Sequence, residues 1–299
     1  MVKQKLIIIL GQTASGKSRL AVELARKFDG EVISADSRQV YTGLNIGTGK
    51  ITGTEMRGVP HHLLDVVSPK KVFTVANFKI LAEKKIDEII SRGKVPILCG
   101  GTGFYIQAIV DDFDLPKVGP NLALRKKLER QKTEKLFETL KKLDARRASE
   151  IDSQNRPRII RAIEIAQALG KVPVLSRKKC RYDILQIGIK TEQKKLQKKI
   201  HDRLLSRIKK GMINEARLLH KRGLSFKRMH ELGLEYRYLA LYLQKKITYK
   251  EMLRDLANEI VKYSKRQMTW FKRNKKILWF SLEPKNKKEI VKTVKNFLL

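Results

Sequence analysis

The sequence predicts an α/β fold: a parallel sheet covered on both faces by helices, with an all-helical insertion. Three observations predict it. Near-continuous apolar runs alternate with amphipathic stretches at the start of the chain, as buried parallel strands do with the helices that cover them. The first of those runs leads directly into a complete glycine-rich phosphate loop. Between residues 115 and 181, by contrast, helix-period segments follow one another without a convincing strand.

The first strand is Leu6 to Leu10, and Gly11-Gln12-Thr13-Ala14-Ser15-Gly16-Lys17-Ser18 follows at once, opening the helix Lys17 to Phe28. This is G-x-x-x-x-G-K-[ST] in a strand–loop–helix context, so several backbone N–H groups and a helix N-terminus surround one cluster of anionic oxygens. Lys17 is placed to reach terminal phosphates. The Ser18 hydroxyl is placed to complete a Mg2+ shell whose other ligands are phosphate oxygens and water. A P-loop NTPase-like sheet holding a diphosphate or triphosphate is therefore expected; the plain alternative is a glycine-rich turn without a ligand. The strand Glu31 to Ala35, helix Thr74 to Ser91, strand Val95 to Cys99 and helix Gly103 to Val110 continue the alternation. Pro116, Gly119 and Pro120 mark the start of the insertion, and Arg177-Lys178-Lys179 precede its end. A strand-like run, Ile184 to Ile189, returns to the sheet. Helical stretches Glu192 to Arg222, Glu231 to Gln244 and Thr248 to Phe271 follow, then a short strand Ile277 to Phe280 and a terminal helix. The expected division is a core, 1–114 with 182–299, and a helical insertion, 115–181.

With 299 residues, 42% of them hydrophobic, the chain can bury one large domain, or one domain plus an insertion. Its formal charge of +36 builds a strong positive field and makes polyanions the expected partners. The basic residues are spread through predicted helices and not gathered in a tail, which points to a folded nucleic-acid surface; a solvated lysine-rich surface is the alternative. Cys99 and Cys180 form no C-x-x-C pair, so neither a disulfide framework nor a structural zinc is indicated. No stretch approaches the ~20 apolar residues that span a bilayer, and the chain enters its first strand without a signal peptide. A soluble cytoplasmic protein with no membrane contact is expected. Without a heptad seam or an exposed apolar stripe, so is a monomer.

Motor and signalling NTPases place a magnesium-holding acid at the end of a second apolar strand, and GTPases add N-K-x-D. Here the strand Val95 to Cys99 ends in Gly100-Gly101-Thr102-Gly103, and no N-K-x-D occurs. The acid stands instead at the end of the preceding strand, in Ile33-Ser34-Ala35-Asp36-Ser37-Arg38-Gln39. Strand C-termini line the ligand crevice of an open parallel sheet, so Asp36 and Thr102 are both expected to face the phosphate loop. A carboxylate there can accept a proton or hydrogen-bond a nucleophile's amine, and Thr102 can donate to an oxygen on the leaving phosphate. Asp36 also reads as a turn or cap residue and Thr102 as a helix cap.

Taken together, G-Q-T-A-S-G-K-S, I-S-A-D-S-R-Q-V-Y, I-G-T-G-K, V-P-H-H-L-L-D, I-L-C-G-G-T-G-F-Y, R-P-R-I-I-R-A-I-E and K-R-Q-M-T-W resemble the tRNA dimethylallyltransferases over nearly the whole chain, in that family's order. The resemblance implies transfer of a dimethylallyl group from dimethylallyl diphosphate to the N6 amine of the adenosine 3′ of the anticodon. It implies that residues Gly11 to Ser18 cradle the diphosphate with magnesium, that Asp36 is the general base, and that Ser37, Arg38 and Gln39 line the base pocket. Thr102 would touch the departing oxygen, and Lys17 would offset the charge that grows on it. A stacked adenine cannot reach a sheet edge, so the nucleotide must be flipped out. Arg125 and the segment Pro157, Arg158, Ile159, Ile160, Arg161 resemble the family's tRNA-contacting positions. Arg158 and Arg161, three apart, are expected to share a helix face.

Other residues carry less. His61 and His62 are adjacent and would point apart on an extended chain, so a metal pair is not expected and loop packing is. Lys265, Arg266 and Gln267 precede Trp270 and Phe271 on a helix whose aromatic side reads as core and whose basic side can face phosphate. The chain departs from the family at Leu232-Gly233-Leu234-Glu235-Tyr236-Arg237, where the tyrosine is displaced from its glycine. The rival functions are an adenylate isopentenyltransferase acting on free nucleotide, a P-loop kinase for a small metabolite or RNA end, and a non-catalytic RNA-binding protein.

Overall fold

A computed structural model describes residues 3–176 and 180–299; the cluster Arg177-Lys178-Lys179 lies outside the described residues. The first half of the core runs β1 (Gln4–Gly11), α1 (Lys17–Lys27), β2 (Gly30–Ala35), α2 (Gly53–Met56), β3 (His61–His62), α3 (Val75–Ser91), β4 (Val95–Gly100) and α4 (Gly103–Val110). The insertion contributes α5 (Leu122–Leu128), α6 (Thr133–Leu143), α7 (Ala145–Glu150) and α8 (Arg156–Leu169). The chain then returns through β5 (Tyr182–Ile189), α9 (Gln193–Lys209), α10 (Met212–Lys221), α11 (Phe226–Leu232), α12 (Leu234–Leu243), α13 (Tyr249–Phe271), β6 (Leu278–Phe280) and α14 (Pro284–Leu298).

The six strands pair in parallel in the order β3-β2-β4-β1-β5-β6. β1 is central because its residues are apolar on both faces. Alternation along the strand sends Leu6, Ile8 and Leu10 to one side, against Phe78 and Ile86 of α3 and Ile106 of α4. Ile7 and Ile9 go to the other side, against Leu20 and Leu24 of α1 and Ile290 of α14. Val40, Tyr41 and Leu44, beyond β2, pack into a further cluster with Leu204, Met229, Leu239 and Leu256 of the later helices.

The expected strands and helices of the first half are present within one or two residues. Where the sequence reads single helical stretches, the structure has breaks. Glu192 to Arg222 is divided at Gly211, and Glu231 to Gln244 is divided at Gly233 and extended back to a Ser225 cap. Both breaks sit at positive φ, 94° and 74°, inside patterns whose apolar period continues across them. α2 and β3 are four and two residues long, too short to show a period.

Contact density divides the chain into one unit of Met1–Asp112 with Lys179–Leu299 and a second of Phe113–Lys178. The sequence boundaries, 115 from Pro116, Gly119 and Pro120 and 181 from the end of the basic cluster, differ from this division by two and three residues, because turn and charge signals mark where an element ends whereas the division follows packing. The second unit has its own core, Leu128, Leu136, Leu140, Ile159, Ile163 and Ala166 among others, built around α8.

Candidate active site

The phosphate loop leaves the central strand and closes on the N-terminus of α1. Its turn places Ala14 at φ 59° and Gly16 at φ 93°, with Ser15 N–H donating back to the Gln12 carbonyl at 3.3 Å. The Ser15 hydroxyl is buried and has no hydrogen-bond partner among the described residues, which is costly unless a ligand oxygen meets it. Lys17 Nζ donates to the Gln12 carbonyl at 3.0 Å. Burial lowers the pKa of that ammonium below its ordinary value and Arg203 adds to the effect, while Cys99 and Asp36 oppose it. A sunken cation with no ion-paired carboxylate among the described residues is a site that an anion stabilises.

The strand tips supply the other wall. One cleft is lined together by Thr13, Lys17 and Ser18 of the loop, by Ser34, Asp36 and Gln39 after β2, by Cys99 and Gly100 of β4, and by Arg203 of α9. Asp36 Oδ1 accepts from the N–H groups of Arg38 (2.8 Å) and Gln39 (3.3 Å), so Asp36 is a turn residue as well as a cleft residue. These bonds use one carboxylate oxygen and leave Oδ2 for a ligand. Thr102 stands at the N-cap of α4, but its side chain does not cap the helix. Its Oγ1 accepts instead from Ser37 N–H at 3.0 Å, and its own N–H donates to the Ala35 carbonyl at 3.2 Å. The hydroxyl proton is left to donate. Gln39 lines the cleft, whereas Ser37 acts through its backbone and Arg38 Nη1 reaches the Ser37 carbonyl.

Sequence reasoning missed Arg203. Its guanidinium lines the cleft, donates to the Gly49 carbonyl at 3.3 Å, and has no carboxylate partner among the described residues. Burial, reinforced by neighbouring Arg207, pushes its pKa down to about 10. α9 is dense with lysine and arginine, so an arginine turned inward looks in the sequence like its solvated neighbours. The I-G-T-G-K segment is likewise organised from a distance. Glu215 of α10 accepts from the N–H groups of Asn45 (3.0 Å), Ile46 (2.7 Å) and Gly47 (2.9 Å), and Arg207 donates to the Gly47 and Thr48 carbonyls. The displaced Tyr236 is buried and donates to Glu215 at 2.7 Å, while Arg237 Nε donates to the His230 carbonyl at 3.4 Å.

His61 and His62 form β3 at the sheet edge, not a packed loop, because two residues cannot display strand alternation in sequence. They do point apart: His62 Nε2 meets Glu31 at 2.6 Å, and His61 lines the cleft with Nδ1 on the Val59 carbonyl. On α13, Phe271 is core, Trp270 packs at its edge, and Lys265 is exposed while Arg266 pairs with Glu259.

In the insertion unit, the expected RNA-contacting residues separate into two kinds. Pro157 and Arg158 are exposed at the start of α8. Ile159 and Ile160 are buried in the unit's core, so their side chains are turned away from any surface. Arg125 makes a bidentate pair with Glu164, Nε to Oε1 at 2.9 Å and Nη2 to Oε2 at 2.7 Å. Arg161 also bonds Glu164 and donates to the Val118 carbonyl at 2.7 Å. The Glu164 side chain is 1% exposed and accepts from Asn121 N–H as well. Burial raises its carboxyl pKa, but the bonds from Arg125, Arg161 and Asn121 outweigh this and hold it below the ordinary carboxylate value.

The model for IPP transferase matches residues 39–274. The chain belongs to the IPP transferase family. A tRNA dimethylallyltransferase of Syntrophus aciditrophicus is 42% identical over 287 residues, covering 92% of this chain and 93% of that protein. The crystal structure of a full-length tRNA isopentenylpyrophosphate transferase from Bacillus halodurans is 36% identical, covers 99% of this chain and 97% of its own, and superposes with a TM-score of 0.76. A eukaryotic dimethylallyltransferase captured acting on tRNA shares the fold at a TM-score of 0.81 and 23% identity. The family match spans both units, and within it fall Asp36's neighbour Gln39, Thr102, the arginines of α8, and Arg203.

Proposed function

We propose that this chain transfers a dimethylallyl group from dimethylallyl diphosphate to the N6 amine of the adenosine 3′-adjacent to the anticodon of tRNA. Its relatives are named tRNA dimethylallyltransferases, which supports tRNA as the acceptor and a dimethylallyl group as the group transferred. The observation that carries the reading is the single cleft lined by the phosphate loop and by Asp36. In the forward step the N6 lone pair forms a bond to the allylic carbon, the carbon–oxygen bond breaks, and diphosphate leaves with the bonding electrons. Asp36 Oδ2 accepts the proton that the amine loses. Lys17, the loop N–H groups, the Ser15 hydroxyl and Arg203 meet the negative charge of the diphosphate, and Thr102 donates to the departing oxygen. Because an allylic carbon tolerates positive charge, orientation and leaving-group stabilisation supply most of the acceleration.

Magnesium suits the donor set. Ser18 offers a hydroxyl lining the cleft, and no group of three His, Cys, Asp or Glu side chains among the described residues could bind a metal alone. Ser18 would hold the ion together with diphosphate oxygens, and the ion would neutralise charge on the leaving group. No helix among the described residues is long and apolar enough to cross a membrane. We further propose that the enzyme works as a monomer in the cytoplasm on the anticodon stem-loop, a polyanion that the +36 charge favours.

The test is to incubate the protein with unmodified tRNA and dimethylallyl diphosphate and to measure nucleoside masses after digestion. The expected result is gain of one C5H8 unit on a single adenosine per tRNA without ATP consumption. Modification of free adenylate instead of tRNA, or phosphate transfer from ATP, would replace the proposal with one of its rivals.

A further inference from the structure

Gln267 of α13 touches two loops with one side chain. Its Oε1 accepts from Thr13 N–H at 2.8 Å, and its Nε2 donates to the Gly101 carbonyl at 2.8 Å. A backbone N–H can meet only the oxygen of an amide, and a carbonyl only its NH2, so these partners fix the orientation of the group. The two loops are the tips of β1 and β4, neighbouring strands paired at Leu10 and Gly100. One tip carries the diphosphate nest and the other carries Thr102. One turn earlier on α13, the Ser264 carbonyl accepts from Gln12 Nε2 at 3.1 Å, so the helix grips the phosphate loop at consecutive residues.

We propose that Gln267 is a positioning residue that sets the gap between the diphosphate nest and the Thr102 hydroxyl. The inference rests on the prenyl-transfer reading above and adds how the leaving oxygen comes to be met. Gln267 is 6% exposed with both ends of its amide occupied, so it faces the two loops and not the polynucleotide. In a reaction that depends on orientation, a displacement of about 1 Å costs about 10²-fold in rate. Gly101 offers a second way to move the amide. A Cβ there would stand 2.3 Å from Gln267 Nε2, the far end of a flexible side chain, so Gly101→Ala displaces the bridge while leaving the chain free to fold.

The experiment is a double-mutant cycle on the full chain: single-turnover prenylation of tRNA by wild type, Gln267→Ala, Thr102→Ala and the double variant, with Kd values for inorganic pyrophosphate and for tRNA. The expected result is that Gln267→Ala lowers the rate about 10²-fold and Gly101→Ala lowers it in the same direction. Both Kd values should stay within about threefold, and adding Thr102→Ala to Gln267→Ala should cost no more than about threefold further, because the hydroxyl is already out of place. Multiplicative costs on an active enzyme overturn the inference alone, as does a loss confined to tRNA affinity, which would make Gln267 an RNA contact. A wild-type chain that prenylates no tRNA overturns the underlying reading and this inference with it. Should Gln267→Ala not fold, the same cycle run with Gly101→Ala decides.

Discussion

Asp36 and the insertion arginines Arg125, Arg158 and Arg161 all follow from the same family resemblance, yet the structure uses them in opposite ways. At Asp36 one oxygen is committed to the turn and the other is left facing a cleft that also holds Lys17. At Arg161 and Arg125 the guanidiniums are committed to a buried carboxylate of their own unit, and Arg158 alone of the three is left exposed without a partner among the described residues. A motif residue thus acts at a site only to the extent that local hydrogen bonding leaves it unsatisfied. Charge counts in the sequence cannot make that distinction.

Substitutions can break this comparison. The largest effect is expected at Asp36: Asp36→Asn keeps Oδ1 for the turn and removes the proton acceptor, so the single-turnover rate should fall by about 10²–10⁴-fold while tRNA affinity is retained. A parallel loss of tRNA binding would make Asp36 a structural residue like Glu164. Thr102→Ala should come next, slowing transfer by about 10²–10³-fold with little change in pyrophosphate affinity, and Thr102→Ser should restore most of it.

In the insertion, Glu164→Ala leaves two arginines around an empty buried position. It is expected to destabilise that unit by about 3–5 kcal/mol, read by hydrogen exchange of α5 and α8, with the β-sheet unaffected. The Glu164 carboxyl titrates lower folded than unfolded, so its contribution is complete above the ordinary carboxylate pKa and lost as pH falls through the folded value. Acid unfolding of the unit should therefore be steeper in wild type than in Glu164→Gln. The smallest effect sharpens the contrast within one helix. Arg158→Ala should lower the salt dependence of tRNA binding by about one unit of slope, while Arg161→Ala should act mainly on unit stability. Equal slopes for both would return Arg161 to the RNA surface.

Most of the fold was legible because the signals that write it are local. Five apolar residues from Leu6 to Leu10, the glycine loop after them, and the acid ending the next strand all fall within the first 36 positions. Gln267, Arg203 and Glu215 were not legible in their roles. Thr13 and Gln267 are 254 residues apart, Gly49 and Arg203 154 apart, and Glu215 holds backbone N–H groups that have no sequence signature. The buried carboxylate among the insertion's arginines was hidden for a related reason: Glu164 sits in an α8 pattern whose apolar period alone would assign it to the core without saying what it binds.

The central claim is that the phosphate loop and Asp36 serve one reaction across one cleft. A crystal structure with inorganic pyrophosphate and an unmodified anticodon stem-loop tests it most directly. Pyrophosphate is expected on the N–H groups of residues 11–18, with an everted adenine whose N6 lies about 2.6–3.2 Å from Asp36 Oδ2. Pyrophosphate seated away from that loop, or an adenine amine out of reach of Asp36, would contradict it.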